Sequence, residues 1–173
     1  MNDFELMKLK EKSIPVSTLR EYFSYDGINL IWKRTTTNRV KRGAIAGSKT
    51  VSGYLQVGFL GVDIKVHRII WALVHGYWPE LIIDHKDGNR LNNRIDNLRE
   101  TNFNGNLRNM RIPSHNTSGV KGVGFCKQTK KWTCSIHVNN KKIWLGRYDT
   151  KEEAAKVYAE ASKKYHGEFG RVK

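Results

Sequence analysis

The spacing of apolar and polar positions changes character several times along the chain, and each change predicts an element. Ser17 is placed to cap a short helix over Thr18 to Phe23. After the Asp26-Gly27 turn, Ile28 to Lys33 alternates like a strand. Tyr54 to Leu60 and Ile64 to Val66, on either side of Gly61-Val62-Asp63, read as a hairpin. From His67 the apolar period lengthens. Ile70, Leu73 and Val74 share a face with Trp71 beside it, which predicts a helix to His75, ended by Gly76 and Pro79. Leu81 to His85 predicts a strand, followed by a long loop, a strand over Ile95 to Glu100 and a helix over about Asn102 to Arg111.

Residues 112–119, IPSHNTSG, form the clearest composition break and read as a linker. Beyond it Val120 to Cys126, Lys131 to Val138 and Lys142 to Arg147 alternate as three strands, with a hairpin turn at Asn139-Asn140. Thr150 and Glu153 form a capping box at the head of a helix whose Ala154, Ala155, Tyr158 and Ala161 fall on one face. That face must cover the sheet. The expected class is α+β. A β-rich extension over 1–66 is followed by a core over 67–111, the linker, and a sheet-and-helix module over 120–173.

Charge narrows the partner. The chain of 173 residues carries a formal net charge of +15, which points to a polyanion, most simply nucleic acid. Residues 118–173 hold thirteen Lys and Arg against five Asp and Glu, so over half of the surplus lies in one third of the chain. No apolar run approaches the ~18 residues needed to cross a bilayer, and MNDFELMKLKEKSIP lacks the apolar segment of a signal peptide. The expectation is therefore a cytoplasmic protein without a membrane partner. Cys126 and Cys134 cannot complete a four-ligand zinc site, so no structural zinc is expected. GAIAGSKT, residues 43–50, superficially resembles a phosphate-cradling loop. Ser48 stands where the glycine before the lysine should be and a strand follows, which excludes a nucleotide cofactor there.

The candidate chemistry lies in LIIDHKDGNRLNNRIDNLRE, residues 81–100, and the amide-rich run after it. Phosphodiester hydrolysis needs an activated water and neutralisation of phosphate charge. An imidazole held in one tautomer is a suitable base near neutral pH. Carboxylate and amide oxygens suit a hard divalent cation that keeps most of its ligands from water and phosphate. Asp84 and Asn106 are the right types to ligate such an ion, and His85 to act as base. The order Asp84-His85, then Asn97 twelve residues after that His, then Asn106 nine further on, resembles the HNH nucleases. The resemblance covers His67 to about Arg111. It implies a ββα-metal core of two strands and a helix around one ion. By the same resemblance His85 is the general base, Asn97 braces the loop carrying it, and Asp84 and Asn106 bind Mg²⁺, for which Mn²⁺ can substitute. Among the arginines around this segment, Arg99, Arg108 and Arg111 are candidate DNA contacts; His67 reads as a packing residue with phosphate contact as the alternative, and Asn89, Asn92 and Asn93 as loop-backbone residues.

In the last third, Gly122-Val123, Trp132, Ile136, Trp144-Leu145-Gly146, Tyr148, Thr150, Ala154-Ala155, Tyr158 and Ala161 resemble the AP2 DNA-binding domain. The resemblance implies a three-stranded antiparallel sheet packed on one helix, with the exposed face meeting DNA. Lys131, His137, Lys142, Trp144 and Arg147 are the expected contacts, more for positioning the backbone than for reading bases. Together the two resemblances imply a homing-type endonuclease of phage or mobile-intron kind that acts on double-stranded DNA, one site per monomer, nicking one strand. The rival readings are a DNA-binding regulator with a non-catalytic scaffold and an RNA-directed protein. Tyr54 and the basic loop through Lys33, Arg34, Arg39, Lys41 and Arg42 are further candidates for DNA contact.

Overall fold

The structure is a computed structural model that describes residues 2–35, 37, 40–102, 112, 116–139, 141–167 and 170. The helix expected over about Asn102 to Arg111 lies, but for Asn102, outside them, and with it Asn106, Arg108 and Arg111. The described residues form an α+β chain with four helices and small antiparallel sheets, dividing into two compact units, 1–101 and 102–173.

The first unit opens with α1 (Asp3–Lys12), which Asn2 caps by accepting from the Glu5 amide at 2.9 Å, and α2 (Val16–Tyr22). Ser17 sits inside α2, not at its cap. Pro15 takes the cap position, where its fixed φ suits the helix entry and its missing N–H costs nothing. Strands β1 (Phe23–Tyr25) and β2 (Leu30–Trp32) pair as a hairpin. Next, β3 (Ser48–Lys49), β4 (Leu55–Phe59) and β5 (Val62–Lys65) form a three-stranded sheet. Helix α3 (Val66–His75) follows without a break, and every residue from Val66 to Ala72 is buried, so it runs through the core, not over it. Then β6 (Ile82–His85) pairs with β7 (Leu98–Thr101), putting Asp84 opposite Arg99 and His85 opposite Leu98. Ile95–Asn97, expected to open that second strand, is instead a 3₁₀ turn.

One apolar core joins these elements, from Ile14 and Leu19 through Phe23, Trp32 and Phe59 to Ile83 and Leu98. Phe23 packs on Trp32 and Phe59 with ring centroids 4.4 and 5.0 Å away. A single buried arginine ties the start of the chain to the segment ahead of β6. Arg68, on α3, donates from Nε to both Glu11 oxygens (2.8 and 2.9 Å) and from Nη2 to Oε2 (2.8 Å). The same guanidinium donates to the carbonyls of Leu81 (3.1 Å) and Pro79 (3.0 Å). Both charged groups are almost fully buried, at 2% and 1% exposure. Such a pair specifies position more than it adds net stability, and what it positions here is the entry to β6.

In the second unit, β8 (Val123–Cys126), β9 (Lys131–Val138) and β10 (Lys141–Tyr148) form an antiparallel sheet in the order β10-β9-β8, and α4 (Lys151–His166) packs on it. The Thr150–Glu153 capping box is present. Gly122, at φ +67°, passes so close to the helix that a Cβ there would lie 2.2 Å from the Ser135 carbonyl oxygen and 2.3 Å from the Tyr158 ring. A bulge between Trp144 and Gly146 shifts the register by one residue. Strict alternation would send Trp144 and Arg147 to opposite faces. With the bulge, Trp144 pairs with Ser135 and Arg147 with Thr133, so both share a face with Lys142. Gly146 adopts φ +129° at the bulge, in the region that favours glycine.

Candidate functional site

His85 ends β6 and is buried at 3% exposure. Its Nε2 lies 2.9 Å from Asn93 Oδ1, so Nε2–H donates to the amide and the basic lone pair resides on Nδ1. Burial is the main influence on this imidazole and lowers its pKa from the ordinary 6.5, while the Asn93 hydrogen bond and the Asp87 and Asp84 charges pull the other way. Burial thus favours the neutral ring, the form a base requires. Asn93 was missed as its partner in the sequence reading. Three asparagines, Asn89, Asn92 and Asn93, crowd the loop, and only burial (3% exposure) singles out Asn93.

Asn97 spans that same loop. Its Oδ1 accepts from the Asp87 amide (3.1 Å), and its Nδ2 donates to Asp87 Oδ1 (3.0 Å) and to the Asn92 carbonyl (2.8 Å). Asp87 also accepts from the Asn89 amide and Asn92 Nδ2, both at 2.7 Å. Burial works to raise the Asp87 pKa, but the hydrogen bonds from Asn92, Asn89 and Asn97 prevail and lower it. The turn after His85 is thus closed by a carboxylate ringed with amides.

Asp84 looks elsewhere. Its Oδ2 accepts from Arg99 Nε (3.1 Å) and Nη2 (2.9 Å) across the β6–β7 ribbon, with both residues buried. Arg99 was expected among the surface DNA contacts. The cross-strand register instead commits its guanidinium to a carboxylate inside the unit, so its charge acts on Asp84. A carboxylate can accept from an arginine through one oxygen and still ligate a cation, so the donor chemistry fits a hard divalent ion. Among the described residues no group of three or more His, Cys, Asp or Glu gathers to hold a metal.

A second histidine borders His85. His67, on the first turn of α3, stands edge-on to His85 with ring centroids 5.1 Å apart, and Tyr54 lies 5.3 Å from His67 and 6.0 Å from His85. The sequence reading left His67 between packing and phosphate contact. It is 5% exposed, its Nδ1 has no hydrogen-bond partner, and burial followed by the charges of His85, Arg68 and Lys65 holds its pKa well below 6.5. A ring in that state packs as a neutral wall behind His85.

Residues 65–108 match the HNH endonuclease family and residues 118–168 match the AP2 domain. The chain belongs to the HNH endonuclease family, with an AP2 domain behind the HNH segment. Among curated proteins, Protein 3.8 of Escherichia phage T7 is 34% identical over 108 residues, spanning 62% of this chain and 88% of that protein. No solved structure matches the chain. No helix among the described residues is long and apolar enough to cross a membrane.

On the AP2 sheet, the face turned away from α4 carries Lys131, Thr133, Ser135, His137, Lys142, Trp144 and Arg147. Trp144 is 54% exposed and Arg147 holds its guanidinium 5.8 Å from that ring, leaving an aromatic surface with a cation beside it. Lys131 pairs with Asp149 at 3.0 Å, so part of its charge is met within the unit. His137 presents an exposed side chain, while its carbonyl oxygen lies 2.9 Å from His166 Nε2. DNA binding follows from the nuclease and AP2 domains together.

Proposed function

We propose that this chain is a homing-type endonuclease that hydrolyses a phosphodiester of double-stranded DNA, nicking one strand as a monomer. The observation that carries the reading is the buried His85, held by Asn93 through Nε2 at the end of a strand whose preceding residue is a carboxylate. Nδ1 of His85 takes the proton of a water molecule. The water oxygen forms a bond to phosphorus as the bond from phosphorus to the 3′ oxygen breaks. Asn97 keeps the turn after His85 closed, so that the imidazole does not swing away during the step. Asp84 and Asn106 would hold Mg²⁺ or Mn²⁺ in a ββα-metal arrangement, and such an ion supplies neutralisation of phosphate charge and of the departing oxygen. His67 supplies an apolar edge that excludes water from one side of the base. The AP2 face, through His137, Lys142, Trp144 and Arg147, keeps the protein on the duplex beside the cut.

One observation favours the rival reading of a DNA-binding regulator. The Arg99 guanidinium on Asp84 satisfies that carboxylate without a cation. Nicking of supercoiled plasmid with Mg²⁺ or Mn²⁺, with EDTA and His85→Ala controls, separates the two. Relaxation that needs both the metal and His85 supports the endonuclease. Tight duplex binding by a preparation that never nicks, whatever the metal or target, supports the regulator.

A further inference from the structure

Of the arginines near His85, Arg99 holds Asp84 and Arg94 pairs with Asp96 at 3.3 Å. Arg90 differs: among the described residues it makes no ion pair, yet it is fixed. Its Nη1 donates to the Ser52 carbonyl at 2.6 Å, and its guanidinium lies 4.8 Å from the centre of the Tyr54 ring. Ser52 and Tyr54 lie in the turn between β3 and β4, ahead of the segment that matches the HNH family. Lys65 reaches the same ring, its Nζ 5.9 Å from the centroid, and donates to Gln56. The Tyr54 ring is also the one that neighbours His85 and His67. Two cations therefore converge on an aromatic ring beside the base, and one of them is exposed on an otherwise ordered side chain.

An exposed arginine ordinarily gives up much rotamer freedom when it grips an anion. Here a carbonyl and a ring have already removed that freedom. The guanidinium spends one of its five N–H donors on Ser52, which leaves enough for a two-point grip on phosphate oxygens. The hairpin and the catalytic loop are 38 residues apart in sequence, and no backbone reason requires a loop arginine to reach back to a β-turn carbonyl. A need to point a fixed cation at the DNA strand does.

We propose that Arg90, held by Ser52 and the Tyr54 ring, grips a DNA backbone phosphate neighbouring the one that is cut, and that Tyr54 is a positioning residue for it. The proposal rests on the DNA endonuclease reading for the identity of the strand, and it makes the N-terminal hairpin part of the active site.

The test is fluorescence anisotropy of the full chain on a random-sequence duplex across a salt series, for wild type, Arg90→Ala, Arg90→Lys, Tyr54→Leu and Arg90→Ala/Tyr54→Leu, with thermal melts on each preparation. Each lost phosphate contact lowers the slope of log K against log salt by about 0.9. Arg90→Ala should show that drop and an affinity loss of about tenfold. Arg90→Lys should keep the slope and lose only a few-fold in affinity, since the charge stays and the fixed fork goes. Tyr54→Leu should weaken binding a few-fold on its own and not at all on top of Arg90→Ala, because the ring acts through the arginine. In nicking assays Arg90→Ala should raise KM with kcat little changed. An unchanged slope in a folded Arg90→Ala would overturn the clamp, and additive losses would remove Tyr54 from it. If wild type never nicks while the slope still falls, the endonuclease reading fails and Arg90 stands as a phosphate contact with no cut phosphate beside it. If wild type nicks and Arg90→Ala matches it in slope and KM, the reverse holds.

Discussion

The two units handle polar groups in opposite ways. In residues 1–101 the buried polar side chains are bound to one another, Glu11 to Arg68, Asp84 to Arg99 and His85 to Asn93, while the buried Asn97 holds the exposed Asp87. In the sheet of the second unit, Lys142, Trp144 and Arg147 stand exposed or half-exposed on the face away from the helix. The contrast follows from the work each would do. A base must be desolvated and held in one tautomer before substrate arrives. A backbone-binding surface must keep its charges in water until phosphates replace the water and counterions. On the proposed reading, chemistry is built inward and attachment outward.

Removing one partner of a buried pair should break the first unit hardest. Glu11→Ala strands the Arg68 charge in the core, and a loss of about 3–5 kcal/mol is expected, measured by urea unfolding. A loss under about 1 kcal/mol would mean that water reaches the guanidinium and that the inward construction is looser than described. The second unit is sensitive to backbone crowding, not to charge. Gly122→Ala places a methyl against the Ser135 carbonyl and Tyr158 at a positive φ, and should cost about 2–3 kcal/mol, read in the same way. Weaker still is the pH response of His67. Burial, with the charges of His85, Arg68 and Lys65, keeps its folded pKa below the ordinary 6.5. Above 6.5 the ring is neutral folded or unfolded and contributes no slope. Below 6.5 the unfolded chain takes the proton first, so stability falls as pH drops toward the folded value, by at most about 1.4 kcal/mol per pH unit. Melting curves between pH 7.5 and 5.5 should show this, and His67→Phe should flatten it. An identical slope in that variant would place the titration elsewhere.

Most strands of the described chain, with helices α3 and α4, could be read from period and turn residues, because alternation and the capping box are local signals. α1 could not: DFELMKLKEK has a weak apolar face, and the helix is held by Glu11 meeting Arg68, a residue 57 positions away. The bulge at Trp144–Gly146 is equally silent in a pattern that assumes period two, although Gly146 marks the spot. At the candidate site, the resemblance pointed to Asp84, His85 and Asn97. Asn93, Arg90 and the place of Tyr54 beside His85 depend on how the loop folds back, and loop geometry leaves no periodic trace. Arg99 shows the converse error, since a basic residue near a basic surface reads as exposed until strand register sets it opposite a carboxylate.

The division of labour is tested most directly by measuring binding and single-turnover nicking on the same duplex for two variants, His85→Ala and Trp144→Ala/Arg147→Ala. The first should bind as wild type does while nicking falls by about 10²–10⁴-fold. The second should need more protein to bind, yet nick at the wild-type rate once saturated. Loss of nicking at saturation in the AP2 variant, or wild-type nicking by His85→Ala, would contradict the account.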